Sequence, residues 1–383
     1  MKPPVYNIGP QNFWNDPYPD LEEMRRTAPI CFVPQLNATL FTKRDDIFTC
    51  EKMIEVFSSD QPGGLMTVLM GENMMRKDGE AHLLERKQAF PALSPRTVRD
   101  VWKAHFQNHT AEILNGFRTG QVIDLVAEYA MPVSGHGLRH ITGLTNITPK
   151  EMDSVSQAMI DGVGNYAGDL DIERRCHAST KLLDDAIDDL LESDAASETS
   201  MLRVLCQANQ PMESIRANIK LAISGGQNEP RDAIAGTVSA LLSHPEQLKA
   251  IQDGENTWQQ AFEEYARWMS PIGMSPRRVA KAFEWNGIHL EPESRAFFMF
   301  GSANRDETVF DQPDQFIISR NTAKAISFGA GPHFCAGAAA SRTLISEVAL
   351  PMLFEKFPNM QLVNETQYRG WAFRGPLEVE VEL

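Results

Sequence analysis

Apolar residues recur every third or fourth position through most of the stretch from His82 to about His244. Ile113, Leu114 and Phe117 form one such group, and Leu182, Leu183, Ile187, Leu190 and Leu191 another. That period puts them on one face of amphipathic helices. Upstream, Leu21 to Arg26 reads as a short helix, and Ile30–Val33 and Thr39–Thr42 read as short strands. The polar run from Ser193 to Ser200 predicts an exposed loop that ends in a helix cap. A long helix is expected from Met212 to Ser243, about 50 Å at roughly 1.5 Å per residue. Its pattern is interrupted by Gly225-Gly226 and by Pro230. A further helix covers Thr257 to Met269, and one more begins near Ala336. Short strands are expected at Arg278–Glu284, Ile288–Leu290 and Arg295–Phe300, with a strand-like tail from Leu377 to Leu383. The fold class is therefore mainly α with minor β.

With 383 residues, 42% of them hydrophobic and 23% charged, the chain has the composition of a globular protein. Length alone suggests two or three domains. Distant segments nevertheless read as parts of one site, so a single domain over residues 1–383 is expected. Lys and Arg total 36 against 51 Asp and Glu, and a net charge of −15 repels phosphate backbones. This disfavours nucleic acid as a partner. Met1-Lys2-Pro3-Pro4 leads into no apolar leader, and no apolar run is long enough to cross a bilayer. The expectation is a soluble cytoplasmic protein with no membrane partner. Five widely spaced cysteines without a CxxC pair argue against a disulfide framework and against a cysteine-rich zinc site.

One cysteine stands apart. In Phe328-Gly329-Ala330-Gly331-Pro332-His333-Phe334-Cys335-Ala336-Gly337, three glycines and a proline flank Cys335, and a helix-forming run follows. Such a turn lets the backbone approach a flat ligand and aim N–H groups at a thiolate. The helix N-terminus beyond it adds a partial positive charge that lowers a thiol pKa. The bland alternative is a glycine-rich turn that happens to hold a core cysteine.

The spacing F-x-x-G-x-x-x-C-x-G, filled by Phe328, Gly331, Cys335 and Gly337, resembles the haem-binding loop of cytochromes P-450. The resemblance covers nearly the whole chain. It implies a cytochrome P-450 fold with haem b between a long distal helix and a proximal cysteine loop. It also implies that the Cys335 thiolate ligates the iron and favours O–O cleavage. Glu264 and Arg267 form an E-x-x-R pair at i, i+3, for which the resemblance implies a buried ion-pair scaffold. Members often add a third arginine after Pro-Asp. Here Pro313-Asp314 is followed by Gln315, and Arg320 is the candidate substitute. His82 and Arg86 share a helix face at i, i+4, and the resemblance implies that they hold a haem propionate. Arg277 or Arg278 and His333 are further propionate candidates.

The segment Gly225-Gly226-Gln227-Asn228-Glu229-Pro230 falls where many members carry an acid–alcohol pair. Asn228 takes the acid's place and Glu229 the alcohol's. Pro230 has no N–H, so the Gly226 carbonyl loses its helical donor and the helix opens. Glu229 is the expected proton donor, with Gln227 or Asn228 orienting water. The alternative is a kinked helix with its carboxylate in solvent. Met66, Val68, Leu69, Gly225, Gly226, Ile272, Gly273 and Phe373 are the expected substrate-pocket residues. They suit a small to medium apolar or aromatic substrate, and ordinary core packing is the competing reading for the methionine-rich stretch.

Gly64-Leu65-Met66-Thr67, the Gly-Gly-x-Asn-Glu-Pro-Arg segment and Trp371–Pro376 are similar to the haem domains of bacterial self-sufficient P-450s and to aromatic O-demethylase P-450s. The implied activity is a monooxygenase that uses O2 for hydroxylation or O-dealkylation. Electrons would come indirectly from NAD(P)H. With no flavin or iron–sulfur segment in these residues, the donor is expected to be an external ferredoxin or flavin reductase, unless the chain is part of a reductase fusion. Arg76, Lys77, Arg86, Lys87, Arg96 and Arg99 would dock an acidic ferredoxin, or else form a solvated face. A hydrogen-peroxide-driven peroxygenase using Glu229 and a non-catalytic haem-thiolate binding protein are the alternatives. A monomer is expected.

Overall fold

The computed structural model describes residues 1–165 and 168–383. The chain is mostly helical with small sheets, and it divides into two compact units. The first comprises Met1–Asp60, Gly236–Cys335 and Asn364–Val379; the second comprises Gln61–Ala235, Ala336–Val363 and Glu380–Leu383.

The first unit is organised on a five-stranded sheet. Its spatial order is Ile30–Val33, Ala38–Phe41, Arg295–Phe298, Ser275–Val279 and Phe57–Ser58. The first two strands form a hairpin around Asn37, which turns the chain at a φ of 46°, a conformation Asn tolerates. Phe41, Phe57 and Phe298 pack edge to face, with ring centroids 5.1 to 5.5 Å apart. Successive strand residues point to opposite faces, so Arg277 and Arg278 serve different neighbours. The strand expected at Arg278–Glu284 is in fact two. Ser275–Val279 belongs to the sheet, while Phe283–Trp285 pairs with Ile288–Leu290 across an Asn286-Gly287 turn. Both turn residues have positive φ, 49° and 77°, the geometry a tight two-residue hairpin requires. The helix Trp258–Met269 begins with a capping box between Thr257 and Gln260.

The second unit is built from helices around an apolar cluster that includes Leu183, Ile187, Leu190, Met152, Met159 and Ile219. The helix Leu170–Glu192 buries the periodic positions Leu183, Ile187 and Leu190, and leaves Leu182 exposed. Ser200 ends the polar loop by accepting a hydrogen bond from the Arg203 N–H, the cap expected there. The single helix expected from Met212 to Ser243 is two, Met212–Ser224 and Asn228–Ser243. Two glycines weaken the junction, and Pro230 removes a helical donor. The tail strand is shorter than expected, Glu380–Glu382, and lies between Val122–Asp124 and Gln361–Leu362. Among the described residues, no helix is long and apolar enough to cross a membrane.

Candidate active site

In the first unit, the Cys335 loop is fixed by its own backbone and by one buried acid. Gly329 and Gly331 adopt φ of 73° and 66°, where a side chain would be strained. The Cys335 N–H donates to the Phe328 carbonyl at 2.9 Å, closing the turn. The Ala330 N–H donates to Glu51 Oε2 at 2.9 Å, while Glu51 Oε1 accepts from Arg277 Nη2 at 2.5 Å. Glu51 is 2% exposed, so a single buried carboxylate ties the strand arginine to the cysteine loop. A Cβ on Gly331 would stand only 3.0 Å from the Glu51 carbonyl, which explains why this position has no side chain.

The cysteines differ in what they can do. Burial pushes the thiols of Cys31 and Cys50 up to about 12 and that of Cys176 up to about 11, so none of the three is available as a thiolate. None of the five is in a disulfide. Cys335 is partly exposed at the end of a turn whose positive-φ glycines, Gly329 and Gly331, pack against Glu51. A reachable thiol on a rigid, glycine-lined turn fits the iron of a haem, which a thiolate can hold.

The E-x-x-R pair is a fully enclosed network. Glu264 and Arg267 are each 0% exposed, with Arg267 Nε to Glu264 Oε2 at 2.7 Å and Nη2 to Oε1 at 2.8 Å. Arg267 also donates to the carbonyls of Asn304 and Pro313 at 2.8 Å and of Gln315 at 3.0 Å. Glu264 Oε1 accepts from the Ile317 N–H at 2.9 Å and from Arg320 Nε at 3.1 Å. Arg320 thus joins the Glu264–Arg267 pair as a third charged member of the network.

Near the tail, Ile272 pairs with Phe373 in an isolated bridge, and the Gly273 N–H donates to the Ala372 carbonyl at 2.8 Å. A Cβ on Gly273 would lie 2.0 Å from the Trp371 carbonyl, so the two segments meet backbone to backbone. Phe373 remains 39% exposed. These three pocket candidates are together.

In the second unit, the helix break is anchored on both sides. Gln227 Nε2 donates to Asp153 Oδ1 at 3.1 Å and to the Met131 carbonyl at 3.3 Å; Asn228 Nδ2 donates to Gln157 Oε1 at 2.9 Å. Ser134 Oγ donates to the Gln227 carbonyl at 2.8 Å. It also lies 3.5 Å from Gly226 O, the carbonyl that Pro230 leaves without a helical donor. Glu229 is different. The residue as a whole is partly exposed, yet both carboxylate oxygens are buried without a hydrogen-bond partner. Burial raises its pKa to about 7, and Asp232 adds to the rise.

The remaining candidates divide. His82 is buried and Arg86 partly exposed on the helix Gly79–Leu93, and His333 is partly exposed in the Gly331–His333 turn. Arg277 spends donors on Glu51, on Ser275 Oγ at 2.6 Å and on the Pro276 carbonyl. Arg278 turns to the other face, where it donates to the Asp60 carbonyl and to Glu293 Oε1, both at 2.8 Å. Its donors thus reach partners at the strand edge, whereas those of Arg277 reach the acid that holds the cysteine turn. The amide nitrogens of Gln227 and Asn228 brace the break, while their amide oxygens are buried without a hydrogen-bond partner. Of the Met66 stretch, Leu69 is buried and Met66 packs against the same apolar cluster, whereas Val68 is 63% exposed.

The basic run is also partly neutralised. Arg76 is buried, Lys77 pairs with Glu85 at 2.5 Å, and Arg96 and Arg99 share Asp100. Sequence reading missed Glu51, Asp153, Gln157 and Ser134. Glu51 stands 279 residues from Ala330, and no local spacing signals such a contact.

The family model described as "Cytochrome P450" matches residues 257–365. Over 412 residues the chain is 25% identical to the epothilone C/D epoxidase of Sorangium cellulosum, with 99% of this chain and 96% of that one covered. It is also 25% identical over 317 residues to cytochrome P450 107B1 of Saccharopolyspora erythraea, covering 79% and 74% of the two chains. In structure it is similar to P450BioI, solved in complex with hexadec-9Z-enoic acid ligated acyl carrier protein, at a TM-score of 0.88 and 20% identity. That match covers 98% of this chain and all of the other. The cysteine loop, the enclosed Glu264–Arg267 pair and these likenesses agree: the chain is similar to bacterial cytochromes P450 over nearly its whole length and shares their fold.

Proposed function

We propose that this chain is a haem-thiolate monooxygenase that inserts one oxygen atom from O2 into an apolar organic substrate, aromatic ones included, by hydroxylation or O-dealkylation. The observation that carries the reading is the Cys335 turn, braced by Glu51 and glycine-lined around a partly exposed thiol. When bound, haem b supplies the oxygen-activating chemistry, tuned by its thiolate ligand. Cys335 holds the iron, and His82, Arg86, Arg277 and His333 supply charge-assisted donors to the propionates. Phe328, Gly331 and Gly337 shape the turn. Ile272, Gly273 and Phe373 provide an apolar wall for substrate, with Gly225, Gly226 and Val68 as further lining.

Glu229 holds and passes protons. A carboxyl that titrates near neutral pH donates and recovers a proton at similar cost. Gln227 and Asn228 keep that carboxyl in place through Asp153 and Gln157, as positioning residues. Electrons come from NAD(P)H through a ferredoxin or flavin reductase. Lys87 and the exposed arginines of the same region give an acidic partner a docking face. Residues 1–383 are read as one haem-binding monooxygenase domain, placed in the cytoplasm.

The test is the difference spectrum of the reduced protein with carbon monoxide. The parent should show the thiolate-ligated band, and Cys335→Ser should lose it while keeping its helical circular dichroism. A parent without that band refutes the assignment. The peroxygenase reading is favoured by the buried, unpartnered Glu229 carboxyl, a ready acid–base group for peroxide. Product from peroxide alone, compared with product from NAD(P)H plus reductase, separates the two.

A further inference from the structure

Two neighbouring helices of the second unit, Lys103–Asn115 and Met131–Thr142, each carry a His-x-x-x-His pair: His105 with His109, and His136 with His140. Residues four apart lie on one helix face, and here the two faces meet. The His105 and His140 rings stack at 4.2 Å and 20°, and those of His109 and His136 at 4.2 Å and 10°. His109 Nε2 and His140 Nε2 stand 2.9 Å apart. One ring nitrogen from each of His105, His109 and His140 lies within 4.8 Å of the others. None of these residues enters the haem reading.

The hydrogen bonds around the cluster decide which nitrogens offer lone pairs. His109 Nδ1 is 3.0 Å from Glu112 Oε2, and a carboxylate can only accept, so Nδ1 carries the hydrogen and Nε2 is the open acceptor. A histidine that donates its far N–H to a carboxylate is the arrangement that orients metal-ligating imidazoles. His136 is held differently: Arg139 Nη1 donates toward its Nδ1 at 3.3 Å, and its ring backs that of His109.

We propose that His105, His109 and His140 form a second metal site, independent of the haem, which takes one divalent transition-metal ion of the zinc class. Imidazole nitrogens suit such ions, and three of them leave a fourth position for water. At a Zn–N distance of roughly 2.0–2.1 Å, tetrahedral ligands stand about 3.3 Å apart. The 2.9 Å pair must therefore open slightly and the widest pair close by about 1.5 Å, through ring rotation out of the stack. On binding, His140 shifts its Nε2 hydrogen to Nδ1, and no net charge is lost from the protein. The side chain of His109 is 24% exposed, so the ion reaches the site from solvent. The bound ion would clamp the two helices together.

Isothermal titration of the chelator-treated haem-loaded protein with zinc chloride tests this. One ion per chain should bind with micromolar or tighter affinity, and zinc should raise the thermal midpoint by mass action. The double variant His105→Gln, His140→Gln should lose both effects. Glu112→Gln, at a surface position where folding is not at risk, should weaken binding about tenfold. His177→Gln, on another helix, should change nothing. No saturable binding by the parent, or full binding by the double variant, overturns the proposal.

Discussion

Replacing Glu229 with glutamine removes a carboxylate whose two buried oxygens have no hydrogen-bond partner. Burial moves its pKa from the ordinary 4.5 to about 7. At roughly 1.36 kcal/mol per tenfold change in proton affinity, the charged form carries a penalty of about 3 kcal/mol in the folded state. Because the folded pKa lies above the unfolded one, the folded chain binds this proton more tightly. Its contribution is fully present below about pH 4.5, falls as pH rises, and is lost above about pH 7. Glutamine does not ionise, so the variant escapes that decline. The constant cost of burying an unpaired amide cancels when two pH values are compared. Between about pH 5 and about pH 8, the unfolding free energy of Glu229→Gln should therefore gain on the parent by up to about 3 kcal/mol. Urea unfolding of the haem-loaded proteins, followed by circular dichroism at several pH values, measures this. A parent–variant difference that stays constant to within about 0.5 kcal/mol across that range refutes the buried-carboxyl argument. Coupled product formation should also lose its dependence on a group titrating near neutral pH.

Three other outcomes follow from the geometry. Glu264→Gln leaves Arg267 enclosed without a counter-charge and should cost about 3–5 kcal/mol, read as a lower denaturant midpoint and faster haem loss. Gly273→Ala forces a Cβ into the Trp371 carbonyl and should lower stability by about 1–3 kcal/mol, whereas Gly63→Ala, with open space around it, should change little in a thermal melt. Cys335→Ser should retain fold and lose the thiolate band, as the carbon monoxide difference spectrum reports.

The sequence alone determined most of the helical architecture, because burial of one helix face imposes a three-to-four-residue period that can be read directly. Leu183, Ile187 and Leu190 follow it, and the cap expected at the end of the polar loop falls at Ser200, where its side chain bonds. The Cys335 loop was legible for a similar reason: its glycines, proline and cysteine satisfy local backbone demands within ten residues. Arg320 could be named but not placed, since only the fold brings it 3.1 Å from Glu264. The break at residues 225–227 was marked by Gly225-Gly226 and Pro230. Whether the helix merely kinks or splits depended on Ser134, Asp153 and Gln157 lying beside it. Tertiary structure alone decided that Glu51 braces the cysteine turn, that Arg278 faces away, and that two histidine pairs from separate helices meet. Each rests on contacts between residues distant in the chain, and such contacts leave no periodic or local trace because the chain's path through space, not its spacing, creates them.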